Sequence, residues 1–147
     1  VAEQLPERKK AHNPLRCIAV STSESEKQYC TVGSNNGSMF VYTMGHDSTG
    51  SFSLDKIVKA HDAHVIRCTF SPNNKDFATT SADKTFKLWD TDTWEVKHCK
   101  DNHRSWVWDC AFSREGKYLA TASSDGLACL WDVDKSVLIR QFSGHNK

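Results

Sequence analysis

No run of apolar residues in this 147-residue sequence approaches the length of a membrane-spanning helix, and no signal-peptide pattern is present. Charge of one sign is also missing: 19 Lys and Arg face 18 Asp and Glu, for a net charge of +1 with histidine neutral. That balance gives neither the basic footprint of a nucleic-acid binder nor an attraction to an anionic membrane surface. The one basic cluster, Arg8-Lys9-Lys10, reads as solvated surface. Six cysteines occur without a single C-x-x-C pair. They read as reduced thiols of an intracellular, cytoplasmic protein. No segment sustains a helical period. Short glycine patterns such as Gly33-x-x-x-Gly37 lack the strand–loop–helix context of a nucleotide site.

What the chain does have is a repeat. The stretch HRSWVWDCAFSREGKYLATASSDGLACLWD, residues 103–132, stands upstream as HDAHVIRCTFSPNNKDFATTSADKTFKLWD, residues 61–90. The offset is a constant 42 residues, from His61 to His103, Phe70 to Phe112, Asp83 to Asp125 and Trp89 to Trp131. A period of about 40–45 residues closing on Trp-Asp is the signature of a propeller blade. The expected fold is all-β, with about three four-stranded antiparallel blades over residues 11–60, 61–102 and 103–144. Residues 1–10 read as the end of a preceding blade plus a polar connection, and residues 145–147 as the start of a further repeat.

Short β-branched or aromatic runs between turn signals place the strands. In the second repeat they are expected at 65–70, 77–81, 85–89 and 95–99. In the third they fall at 107–112, 118–123, 127–131 and 137–142. Cys68 and Cys110 share one repeat position inside strand sequence, where a thiol serves as a small buried hydrophobe. The first repeat is degenerate, with strands expected at 15–20, 29–33 and 38–43, followed by a long connection over 44–53. Asn36 replaces the aspartate, and Tyr42-Thr43 replaces Trp-Asp. Ala11-His12 stands where a repeat-opening histidine belongs, whereas Gly45-His46 is out of phase and reads as loop. The sequence opens on Val1 and stops where the repeat restarts at His145, so both ends look cut from a larger ring.

Two sets, His61 with Ser81 and Asp83 and His103 with Ser123 and Asp125, imitate a hydrolase triad. A catalytic triad is built once. These sets recur at one offset, each ending at a tryptophan (Trp89, Trp131), so each repeat needs its set to fold. The expected arrangement is a buried chain from the indole N–H through a hydroxyl to histidine and aspartate. Thr79 and Thr121 share the parity of the serines, so the hydroxyl comes from either. A zinc reading of His98, Cys99 and His103 is set aside, because zinc takes four ligands and no second pair stands nearby.

The clearest functional lead is Trp106 and Trp108, with Arg104 and Ser105 beside them. Their counterparts one repeat earlier are His64 and Ile66. The first strand of a blade lines the central channel, and its leading residues emerge on one ring face. Two tryptophans there would make a rigid aromatic patch, the residue type that anchors protein interfaces. The competing reading packs one of them between blades. Trp94 belongs to a hairpin and reads as a rim-packing residue.

These repeats resemble the WD-repeat family. More narrowly, the run SWVWDCAFS followed by TASSD, by LW and by a GH-x-K ending is similar to the small propeller subunits of target-of-rapamycin (TOR) kinase complexes. The AEQLPE opening and the long-looped first repeat are similar too. The resemblance implies a seven-bladed ring, with this stretch roughly its C-terminal half. It also implies no catalytic activity, no cofactor, and docking on the C-lobe of the TOR kinase domain within a complex holding further subunits. Trp106 and Trp108, with Arg104 and His64 alongside, would then belong to the face that meets the kinase. The alternatives are a WD-repeat adaptor in a ubiquitin ligase or trafficking complex and, remotely, a small hydrolase using one His-Ser-Asp set.

Overall fold

The computed structural model describes residues 13–22, 27–45 and 50–144. Among them there is no helix, so none that is long and apolar enough to cross a membrane. The strands are β1 (Leu15–Val20), β2 (Gln28–Ser34), β3 (Ser38–Met44), β4 (Phe52–Lys59), β5 (Val65–Phe70), β6 (Asp76–Ser81), β7 (Phe86–Asp90), β8 (Val96–Lys100), β9 (Val107–Phe112), β10 (Tyr118–Ser123), β11 (Leu127–Asp132) and β12 (Val137–Ser143). Each consecutive set of four makes one antiparallel sheet in chain order, β1–β4, β5–β8 and β9–β12. The first strands converge, β1 against β5 and β5 against β9. Three such sheets stacked face to face and meeting at their first strands are part of a β-propeller.

Strand alternation gives every sheet two apolar faces, and this builds the stack. On the second sheet, Phe77 and Trp89 point one way and bury against Tyr29, Met39 and Val41 of the first. Their neighbours Ala78 and Leu88, with Phe86, point the other way. They bury against Leu119, Cys129 and Trp131 of the third sheet. All three aromatic residues of these two layers on the second sheet are at most 2% exposed, and Phe86 lies 4.8 Å from Trp131 between ring centroids.

The link from β4 to β5 is fixed by the turn of the first sheet. The N–H groups of Ala60 and His61 both donate to the Gly37 carbonyl at 3.0 Å. Gly37 has φ +84, and a Cβ there would meet the His61 carbonyl oxygen at 2.0 Å, so only glycine fits. The region 44–53, expected to be wholly connection, instead yields to a strand at Phe52. The histidines at positions 12 and 46 lie outside the described residues. All six cysteines carry free thiols, with Cys68 and Cys110 buried.

Candidate functional site

Two layers make up the site: a buried polar network in each regular blade, and an aromatic patch carried above it. In the second blade Trp89 donates its indole N–H to Thr79 Oγ1 at 2.9 Å. Thr79 Oγ1 is 2.8 Å from His61 Nε2, and His61 Nδ1 is 2.9 Å from Asp83 Oδ2. With the proton on Nδ1, the histidine donates to Asp83 and accepts from Thr79, and every member is satisfied. The third blade repeats this: Trp131 to Thr121 at 3.0 Å, Thr121 to His103 at 2.9 Å, His103 to Asp125 at 2.9 Å.

The hydroxyl is therefore threonine's, which corrects the expectation that placed Ser81 and Ser123 in the chain. Thr79 lies mid-strand opposite Cys68. Ser81 is the last residue of β6, where its Oγ accepts the Asp83 N–H across the turn. Ser123 does the same for Asp125 and also donates to the Ser105 carbonyl. The serines shape the turn that presents the aspartate.

Each aspartate is a hub. Asp83 accepts from the N–H of Asp62 and from both the N–H and hydroxyl of Thr85. Burial alone would raise its carboxyl, but the hydrogen bonds from His61 and Thr85 outweigh this and hold it well below the usual carboxylate range. For Asp125 the N–H of Arg104 and the His103 ring likewise outweigh burial. A carboxylate depressed in the folded state stabilises it fully above the unfolded value near 4, and that contribution fades as pH falls below. The unfolding midpoint should accordingly drop as the protein is acidified from about pH 4 toward 2. In Asp83→Asn the drop should be smaller, from a lower starting midpoint. Parallel acid melts of the two proteins check this, and identical slopes would contradict it.

Above the hub sits the patch. Trp106 and Trp108 are 42% and 49% exposed, with ring centroids 5.4 Å apart and planes tilted by 54°. His64, from the neighbouring blade, meets Trp106 edge-on at 6.2 Å. Neither tryptophan packs between blades. The backbone is pinned from below, since the Trp106 carbonyl accepts the Ser124 N–H at 3.0 Å and the His64 carbonyl accepts the Ala82 N–H at 3.1 Å. The Trp108 indole N–H donates to Ser124 Oγ. Ser124 was not singled out from the sequence; the tripeptide Ser123-Ser124-Asp125 offers no sign that its middle residue holds a ring. Arg104 is exposed and occupies the place of Asp62 one blade earlier.

Trp94 behaves differently from these two. Its backbone is left-handed (φ 59), and its ring is 4% exposed. It lies edge-on to Tyr29 at 5.3 Å and close to Phe77 at 5.5 Å, between the first two blades. Arg67 and Asp109 form an ion pair at 3.2 Å between β5 and β9, both more than half exposed. Such a pair is worth at most about 1 kcal/mol.

Fold and network together define a WD-repeat propeller, and the family model "WD domain, G-beta repeat" matches residues 52–90 and 94–132. The chain belongs to the WD-repeat family. Each matched unit runs from the last strand of one blade through three strands of the next, so that His61 and His103 tie blade to blade from within one unit. Among similar proteins, the Protein LST8 homolog of Drosophila melanogaster is 38% identical over 137 residues, 90% of this chain and 42% of that protein. The Target of rapamycin complex subunit LST8 of Mus musculus is 37% identical over 146 residues, 91% of this chain and 44% of that protein. The Target of rapamycin complex subunit LST8-1 of Arabidopsis thaliana is 37% identical over 74 residues, 49% of this chain and 24% of that protein. The chain spans less than half the length of these curated relatives.

Proposed function

We propose that the chain is a non-catalytic scaffold of a TOR kinase complex, in the cytoplasm, that binds and steadies the kinase catalytic region. The observation that carries this reading is the exposed Trp106–Trp108 pair on pinned backbone, in a chain whose similar relatives are named as TOR complex subunits. Soluble-facing tryptophans held in one orientation are interface anchors, because little side-chain freedom remains to be lost on binding. His64 and Arg104 flank the pair and complete the partner-facing set. Each sheet is one blade of a longer ring, and its His–Thr–Trp–Asp chain serves folding.

A hydrolase is disfavoured by burial. The only hydroxyl on the His61 ring nitrogen that a triad would use is that of Thr79, which is fully buried and already accepts from Trp89. A nucleophile must reach its substrate. Co-purification tests the proposal: the tagged chain, expressed in a eukaryotic cell, should recover TOR kinase. Recovery of a ubiquitin ligase or a coat component in its place would replace the TOR reading with another WD-repeat scaffold.

A further inference from the structure

The two outward faces of the stack differ from each other, and each matches one side of the interfaces inside it. Residues directly opposite across neighbouring strands line up in rows on one face. On the outer side of the first sheet, Ile18, Val32, Phe40 and Ile57 form one row, and Val20, Cys30, Tyr42 and Leu54 the next. All eight are apolar or aromatic, and Ile18 and Ile57 are 66% and 60% exposed.

On the outer side of the third sheet the rows are Ala111, Ala120, Leu130, Arg140 and Asp109, Ala122, Ala128, Phe142. One repeat earlier, the same positions on the second sheet hold Ala78, Leu88, Thr80 and Phe86 at their centre. Those four are buried because the aromatic-bearing face of the third sheet covers them. Among the described residues nothing covers Ala120 or Ala122, both exposed.

The small-residue face of one blade thus packs on the bulky face of the next twice within the chain, and the chain leaves one unmatched face of each kind. We propose that a second copy of this chain fills them, head to tail, with the outer face of its first sheet (Ile18, Phe40, Tyr42, Ile57) on the alanine-lined face of the third (Ala120, Ala122, Ala128, Leu130). The alanines leave room for Phe40 and Tyr42, as close packing requires. A contact between two different faces is heterologous, so it builds closed rings or open chains of copies. The second copy is favoured over an unrelated partner because the contact repeats a geometry that the fold already uses twice.

Sedimentation equilibrium of the 147-residue chain tests this. The chain should form dimers or larger assemblies with rising concentration. Ile18→Lys/Ile57→Lys should block one face and Ala120→Lys the other, each weakening self-association by at least about tenfold. All three positions are exposed or open, and circular dichroism checks that the variants keep the fold. An equimolar mixture of the two variants should restore a 1:1 dimer, since each retains the face the other lacks. A wild-type chain that stays monomeric, a face variant that associates like the wild type, or a mixture that stays monomeric would each overturn the proposal.

Discussion

Trp89→Ala is expected to lower the free energy of unfolding by about 3–5 kcal/mol, the largest stability effect of any single change in the second blade. The ring is 2% exposed and fills the space between the first two sheets. Its removal leaves a cavity that packed strands cannot close. It also strips the Thr79 hydroxyl of its donor. Trp89→Phe separates the two contributions. It keeps most of the apolar volume and loses the N–H, so it should cost only about 1–2 kcal/mol. Denaturant titration of both variants gives the comparison. Equal losses would mean that the hydrogen-bonded chain, rather than packing, dominates the role of the tryptophan.

Trp106→Ala and Trp108→Ala are expected to act on binding instead of folding. Truncating a centrally placed aromatic anchor costs about 2–4 kcal/mol of affinity, which is about 30- to 700-fold in Kd. Both rings are nearly half exposed in the free chain, so folding buries little of them, and their loss should change stability by less than about 1 kcal/mol. The combined variant should not show the simple sum of two effects, because the rings touch each other. Ser124→Ala should weaken binding to a lesser degree, since it frees Trp108 from the hydroxyl that orients it without removing contact area.

Most of the second and third sheets was legible because their inner strands are half-buried and alternate, and because a constant offset lets one blade correct the other. Val65–Phe70, Val107–Phe112 and Tyr118–Ser123 have the bounds that their alternation suggested. β4 was harder to see. Seven of its eight residues are exposed, and Asp55 and Lys56 interrupt any hydrophobic period, so its pairing with β3 is what makes it a strand. The choice between serine and threonine in the network was open for a related reason. Both fall on one face by parity, and only distance from the turn separates Thr79 from Ser81.

Trp94 eluded placement in the core because its neighbours Thr93 and Glu95 are turn-like and polar. Its burial depends on Tyr29, Phe70 and Phe77, residues remote in sequence or on other strands. The exposed setting of Trp106 and Trp108 is likewise a tertiary fact. The alternating sequence from Val107 onward would suit rings turned inward, and it is the turns at Ser81 and Ser123 that hold the segment out.

The most direct measurement is the affinity of the wild-type chain for an isolated TOR kinase catalytic region, set against Trp106→Ala, with unfolding midpoints recorded on the same samples. The account predicts binding by the wild type and a loss of about 30-fold or more in the variant at an unchanged midpoint. Equal affinity in the two proteins, or no binding by a folded wild-type chain, would contradict it.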